Sequence, residues 1–586
     1  MIWLLLACTG DNPYAANPAI TNHVDDWRDE IVYQLIVDRF ANGDVNNDYN
    51  VSQAEDLNRY LGGDYQGIID RVDYLEALGV TALWISPVVV NVEEDAGIAG
   101  YHGYWTQDFE HVNPHFGDLA KLRELVAVMH EHDIKVIVDI VVNHVGQLFY
   151  YDINHNGQAD VTTWYSTDGS DSLDIVTEWD PAFDPRGIQS WTSLGEAGDA
   201  PLGWVDMPEL NREPPQPIEF WNDDWYNRMG RVTDWSYLDQ VVTGDFPGGL
   251  KDLRTENPNV RRALIDVFSD WITKTNIDGY RIDTVKHVEP DFWTEFCPAI
   301  RDHAASLGKE DFLLFGEVFD GDDALVGSYT DVDMLDGVVD FPAKYQVVDG
   351  VFKYGGPTST VESLWTAQRD TWGALEQEGG VGVAPRDLHL HFLDNHDVAR
   401  FPFDVSEYGS EQTDPVAAEQ TALAWLLTAD GVPILYYGTE QGFDGGNDPA
   451  NREPLWWSGY DTSGALFTWT AALNRLRREH EALRRGETVW AWSTDHTGTE
   501  EDAGILAYER VTEGERVLVV INTSDTQASH SAWEGDDMVP GFAPGAELVD
   551  ALQQQLGVEP SRWTVAADGS LVVELGPREV VVLVEG

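Results

Sequence analysis

The chain of 586 residues carries 103 acidic against 35 basic side chains, a net charge of −68, with 43% hydrophobic residues. Such a field repels nucleic acid and anionic membrane surfaces and excludes both as partners, while a neutral substrate is indifferent to it. The apolar content excludes a disordered chain, and the length exceeds a single core, so two or three domains are expected. The acid is spread along the chain, and only eight of the basic residues are Lys. That dispersed surface fits equally a protein of salty surroundings, where screening relieves self-repulsion, and a generally acidic exported protein.

The chain begins MIWLLLACTGDNP, an apolar run from Ile2 to Ala7 followed by Cys8. Leu6-Ala7-Cys8 resembles a bacterial lipoprotein cleavage site, so residues 1–26 read as a signal segment and polar linker. The expectation is export, to the extracellular space or to a lipid anchor on Cys8 at the bacterial cell envelope, although the run is short and no Lys or Arg precedes it. That anchor is the only expected membrane contact, because no later segment reaches the ~18 apolar residues of a span. With Cys8 acylated, Cys297 has no partner for a disulfide, and its apolar helix-like setting reads as inert packing.

From Glu30 the elements alternate. EIVYQLIVDRF (30–40) reads as a strand, 70–79 as a helix, TALWISP as a strand, 118–133 as a helix, and KVIVDIVVNH as a strand. This alternation predicts an α/β fold, a (β/α)8 TIM barrel. From 145 to 249 the periodicity dissolves into a Trp-, Asp-, Pro- and Gly-rich stretch, too long for a structureless loop and read as an inserted domain. The alternation resumes with a helix over 259–276 and the strand IDGYRIDTV, and runs to a last helix over 466–483. Beyond Gly486, ILAYERV, RVLVVINTS, LVVELG and REVVVLVEG alternate as strands, predicting an antiparallel β-sandwich. The expected domains are therefore 27–144 with 250–486, 145–249, and 487–586.

Four segments place chemistry at the ends of strand-like runs: DIVVNH (139–144), GYRIDTVKH (279–287), FGEVFD (315–320) and FLDNHD (392–397). In a barrel such ends converge on one face, where barrel enzymes keep their active sites. One carboxylate there commonly caps the next helix. Asp283, Glu317 and Asp397, together with Arg281, His144 and His396 in order, are hard to obtain by chance.

These segments, with GVTALWISPV (79–88) and GVPILYYGTEQ (431–441), resemble the sequence regions of the α-amylase family, glycoside hydrolase family 13, from about Trp27 to the end of the chain. Abundant aromatic residues fit, since aromatic faces stack on sugar rings, though most of the 23 Trp are expected in the core. The resemblance implies that Asp283 is the nucleophile, Glu317 the general acid/base and Asp397 the carboxylate gripping substrate hydroxyls. The outcome is then retention, with the first two carboxyls ~5–5.5 Å apart. Arg281 is expected to hold Asp283 ionised, and neighbouring carboxylates to raise the pKa of Glu317. By the same resemblance, His144 and His396 bond the sugar at the cleaved bond, Tyr104 in GYHGYWTQDF is its aromatic platform, and Lys286 and His287 contact the next two sugars. That pair favours an α-amylase or cyclodextrin glucanotransferase over an oligo-1,6-glucosidase. The expected activity is endo-hydrolysis of α-1,4 bonds in a starch-like glucan by a protein expected to be a monomer. Neopullulanase, maltogenic or glucanotransferase activity remains an alternative, as does a non-catalytic glucan-binding lipoprotein of the same fold. MPELN (207–211) resembles a neopullulanase signature but falls ahead of the matching region.

The resemblance also implies Ca2+. A shared site would use Asn143, Asp252 and the carbonyl of His287. A second, over ANGDVNND and GGD, would use Asn42, Asp44, Asn47, Asp48, the carbonyl of Gly62, and Asp64. A third stretch, DINHNGQAD, offers Asp152, Asn154, Asn156 and Asp160 at the spacing of an EF-hand loop, with Thr163 where a final acid belongs.

Overall fold

The structure is a computed structural model that describes residues 12–151, 161–165, 172–176, 202–204 and 215–586, apart from 96, 231, 233, 247, 248 and 411. Cys8, the DINHNGQAD loop and MPELN lie outside the described residues.

Eight parallel strands form the barrel: β1 Val32–Leu35, β2 Ala82–Ile85, β3 Lys135–Ile140, β4 Gly279–Ile282, β5 Leu313–Gly316, β6 Gly337–Val338, β7 Leu390–Phe392 and β8 Val432–Tyr436. Their spatial order is β6-β5-β4-β3-β2-β1-β8-β7. The seam between β6 and β7 closes through a bridge from Val339 to Leu390 and a bond from Asp340 N–H to the Leu390 carbonyl at 3.0 Å. The strands are largely apolar on both faces. Val32, Ala82, Trp84, Ile137, Leu313, Phe315, Leu390, Val432 and Ile434 fill the barrel, whereas Tyr33, Leu83, Val136, Val138 and Leu314 face the helices. The period of two thus survives inside runs that look uniformly hydrophobic.

The surrounding helices begin where their caps dictate. In α1, Leu119–Glu131, the Asp118 carboxylate accepts from Lys121 N–H. In α2, Pro258–Thr275, Asn257 caps, Pro258 takes the first turn, and Asn276 ends the helix in the left-handed region at φ 64°. The expected last helix is two. Ala465–Glu479 breaks at His480, because the Glu515 carboxylate takes both His480 Nδ1 (2.7 Å) and Ala482 N–H (2.9 Å), starting a new turn over Glu481–Arg485.

The C-terminal region is a six-stranded antiparallel sheet built on Ile505–Val511, Arg516–Asn522 and Val580–Glu585. One face, with Ile505, Leu518, Val520 and Val581, packs under Met538, Leu571 and Val573. The other, with Leu506, Tyr508, Val519 and Val582, joins the barrel core. The expected strand in LVVELG is reduced to Glu574–Leu575, because Val573 bonds Ser531 and Leu571 bonds Met538 along an irregular path.

The polar stretch before Asp26, expected as a free linker, lies along the barrel over Tyr14–Val24. Arg123 donates to the carbonyls of Tyr14 (3.2 Å) and Ala15 (3.0 Å), and Thr21 N–H bonds Asn276 Oδ1 at 3.0 Å. Val24 and Trp27 then plug the barrel interior. Apolar anchors at Val24 and Trp27 supply the burial that a freely solvated linker lacks.

Asp278, leading into β4, ties this floor together. It accepts from Val136 N–H (2.8 Å), His130 Nε2 (2.7 Å) and Lys309 Nζ (2.6 Å), and these partners outweigh its burial and hold its pKa down to about 2. A depressed carboxylate stabilises the fold above its unfolded pKa and loses that stabilisation as pH falls through the folded value, here from about 4 toward 2, worth roughly 2 kcal/mol. Asp278→Asn should lower thermal stability at neutral pH and flatten the loss of stability over that acid window. An unaltered acid limb in thermal melts would contradict this.

Candidate active site

The cluster at the C-terminal ends of the strands is organised by one guanidinium. Arg281, inward-facing on β4 and buried, donates from Nη1 to Asp283 Oδ1 (2.9 Å) and to both oxygens of Asp139 (3.0 Å each), and pairs through Nη2 with Glu317 Oε1 (3.1 Å). Asp139, on β3, also accepts from Tyr104 Oη (2.8 Å) and Trp84 Nε1 (3.1 Å). The second Glu317 oxygen accepts from Thr284 N–H at 3.3 Å. Asp283 and Glu317 are therefore clamped on different nitrogens of the same cation. Arg281 was expected to serve Asp283; it serves three carboxylates.

Burial decides the charges. It is the largest cause raising Glu317, to about 8, with Asp283 and Asp397 adding to it and Arg281 opposing. The neighbouring carboxylates raise Glu317 as expected, and removal from water does more, because a buried anion loses its hydration outright. Burial also raises Asp283, to about 6. Of this interacting set, Asp283 gives up its proton before Glu317, leaving an anion beside an acid near neutral pH.

Across the cleft, the Asp397 side chain is a third exposed, at 33%, with His396 Nε2 at 3.1 Å and Arg452 Nη2 at 3.4 Å. Gln34 on β1 donates from Nε2 to His396 Nδ1 at 2.7 Å, which leaves the proton on His396 Nε2, facing Asp397. Arg452 also binds the His396 carbonyl (3.0 Å) and Asp448 (3.0 Å). The Tyr104 ring stacks on His396 at 5.1 Å and 5°. His144 places Nε2 3.2 Å from the Tyr104 carbonyl, and burial lowers its pKa to about 4, so it is a neutral imidazole.

Lys286 bonds the Phe319 carbonyl (2.5 Å) and Asp320 (3.3 Å), while His287 bonds the Val241 carbonyl (3.0 Å) beneath Trp235 and Phe246. Asp283, Glu317 and Asp397, with Tyr104, His144, Lys286, His287, His396 and Arg452, border a cleft of about 550 Å3 that Trp235 and Phe246 also line. Such a site holds a neutral polyhydroxylated ligand by stacking and bidentate hydrogen bonds, with an acid and an anion on one bond.

The α-amylase catalytic-domain family model matches residues 34–481. The chain belongs to the α-amylase family of glycoside hydrolases. It is 32% identical over 573 residues to a β/α-amylase of Paenibacillus polymyxa, a match that covers 96% of this chain but only 38% of that relative. A solved Anoxybacillus α-amylase superposes with a TM-score of 0.71 at 30% identity, over 96% of this chain and 98% of the other. The γ-cyclodextrin glucanotransferase of alkalophilic Bacillus clarkii also superposes, with a TM-score of 0.70 at 25% identity, over 96% and 71% of the two chains.

The family resemblance named two oxygen-rich loops within the described residues, and the fold assembles both. His144–Val145 pairs antiparallel with Lys251–Asp252, and Leu253 N–H bonds the Asn143 carbonyl at 2.8 Å, so Asn143 and Asp252 adjoin. Asp252 Oδ2 accepts from Asn227 at 3.0 Å, whereas the buried Oδ1 has no hydrogen-bond partner. In the second loop, Asp64 accepts from Gly43 N–H (3.1 Å), Asp44 N–H (2.8 Å) and Asn47 Nδ2 (3.3 Å), and Asn42 bonds Asp48 at 2.9 Å. Gly62, at φ +98°, lies so close that a Cβ there would stand 2.6 Å from Asn42 and 2.7 Å from Asp48. Asn47 Oδ1 is buried without a partner. The DINHNGQAD loop cannot be compared, since it lies outside the described residues.

Sequence reading missed Asp139, Gln34, Arg452, Asp448, Trp235 and Phe246. Only Asp139 left a signal: a carboxylate inside a run of buried β-branched residues needs a cation.

Proposed function

We propose that this chain is an endo-acting α-amylase that hydrolyses α-1,4 bonds of starch-like glucans with retention of configuration. The observation that carries this reading is the pair Asp283 and Glu317 on one buried guanidinium, the first ionised where the second is still protonated. Asp283 attacks the anomeric carbon while the Glu317 proton passes to the departing glycosidic oxygen. The same carboxylate, now charged, then takes a proton from water as that water releases the sugar from Asp283. Asp397 and the Nε2–H of His396 hold sugar hydroxyls, and Tyr104 offers a flat face to the ring. The test is the product profile from soluble starch: linear maltooligosaccharides of mixed length released with the α-anomer first, seen by NMR. Cyclic products as the main outcome, or none from folded protein, would overturn the reading.

A second reading is transfer to a sugar acceptor, favoured by Trp235 and Phe246 around His287, an aromatic wall that suits a sugar better than water. Cyclodextrin or lengthened products at high maltooligosaccharide concentration would support it.

Calcium belongs to the proposal. The unpartnered carboxylate oxygen of Asp252 and amide oxygen of Asn47, each among further oxygens, fit a hard cation. Asn143, Asp252 and the His287 carbonyl would hold one ion, and Asn42, Asp44, Asn47, Asp48, the Gly62 carbonyl and Asp64 another. Bound there, the ion supplies positive charge that neutralises the carboxylates and fixes the loop at the cleft wall. A ligand of the folded state at about 1,000 times its Kd adds roughly 4 kcal/mol per site. Exhaustive chelation should therefore lower the melting temperature by several degrees and depress turnover, with calcium restoring both; an unchanged melt and rate would sink the assignment.

A further inference from the structure

Asp340, His389 and His391 form a buried cluster remote from the chemistry described above, on the outer wall of the barrel where β6 and β7 meet. His389 immediately precedes β7 and His391 lies within it, two residues on, so both side chains leave the same face, away from Leu390 inside the barrel. Their rings stack at 5.4 Å and 5°. Each presents Nδ1 to Asp340 Oδ2, at 3.4 Å from His389 and 3.3 Å from His391. The ligand atoms of the three residues lie within 4.8 Å of one another, and all three side chains are buried.

An ion pair between a carboxylate and two imidazoles is the simpler account, and the hydrogen-bond geometry does not complete it. Other His–carboxylate contacts among the described residues run from 2.7 Å at His130–Asp278 and His480–Glu515 to 3.7 Å at His530–Glu501, so the two separations here lie at the long end of that range. Here neither Nδ1 makes a hydrogen bond, and His389 Nε2 makes none either. Two ligands about 2.0–2.1 Å from a tetrahedral ion are about 3.3–3.4 Å apart, which is the separation between Asp340 Oδ2 and each Nδ1. Asp340 is also braced as metal-bound carboxylates are: Gln368 Nε2 donates to both its oxygens at 3.0 Å, and Ala343 N–H donates to Oδ1 at 2.9 Å. A cavity of about 30 Å3 bordered by His391, Gln368 and Asp430 has room for a water as fourth ligand.

We propose that Asp340, His389 and His391 form a binding site for a divalent first-row cation of the zinc class. Two imidazole nitrogens with one carboxylate suit Zn2+ or Co2+, and not calcium, which takes oxygen ligands. The site spans the seam that the Val339–Leu390 bridge and the Asp340–Leu390 bond join, and β7 leads directly to Asp397. The ion clasps β6 to β7 at the closing seam of the barrel beneath the cleft.

The test uses the full chain stripped of metal and then saturated with calcium, so that oxygen-only sites are filled. Zn2+ should bind at one equivalent and raise the melting temperature further, and Co2+ should give the visible bands of a tetrahedral nitrogen-containing site. His389→Phe and His391→Phe, which keep flat rings against Trp372 and Trp425, should each abolish the bands. Bands that persist in either folded variant would place the ion elsewhere and overturn the proposal, as would their absence from the parent protein. Should both variants fail to fold, a zinc-edge anomalous map of the parent decides: density among Asp340, His389 and His391 supports the site, and none there refutes it.

Discussion

Asp283→Asn should turn over soluble starch at least about 10^4-fold more slowly than the parent, with little change in melting temperature. The amide keeps the shape of the carboxylate but cannot form the covalent bond to the sugar. The fold should tolerate the change, because Arg281 retains Asp139 and Glu317, and removing one of several buried acids relieves repulsion among those that remain. Steady-state rates on soluble starch, set beside thermal melts, check both halves. Near-parental turnover would remove Asp283 from the nucleophile role. A large loss of stability with the loss of rate would instead make it a structural counterion.

Glu317→Gln should cost on the order of 10^3-fold or more on starch, whose departing hydroxyl needs a proton, yet far less in the first step on an α-glucosyl fluoride, which leaves without one. The pH dependence supplies the second measurement. Glu317, raised to about 8, must hold its proton, so kcat/KM falls as pH rises through that region. Asp283, raised to about 6, must be ionised, so kcat/KM falls as pH drops through that one. The parent should thus show a bell between about 6 and 8, and Glu317→Gln assayed on the fluoride should lose the alkaline limb only. An alkaline limb that survives the substitution would assign it to another group.

Much of this was legible in the residues. Strand and helix alternation predicted the barrel because each strand must be apolar on both faces and each helix on one. The catalytic candidates were legible because period two carries Arg281 and Asp283 to the same side of β4, and because every parallel strand ends on the same face. Local cues failed where a tertiary partner intervened. The last helix broke at His480 because Glu515, 35 residues on, supplied a cap. The supposed linker docked because Val24 and Trp27 found the barrel floor.

By itself, then, the sequence determined the fold class and the order of the elements, which follow from periodicity, while the three carboxylates were singled out by a family resemblance carried on short segments. Only the tertiary structure decided that Arg281 is shared among Asp139, Asp283 and Glu317, that Gln34 sets the proton on His396 from 362 residues away, and that Arg452 flanks Asp397. Only it decided that Glu317 is an acid chiefly through burial, and that Asp340 meets two histidines across the closing seam of the barrel. The reason is common to all of them: a charge state or a shared contact is a balance between desolvation and partners distant in sequence, and neither quantity exists until the chain has folded.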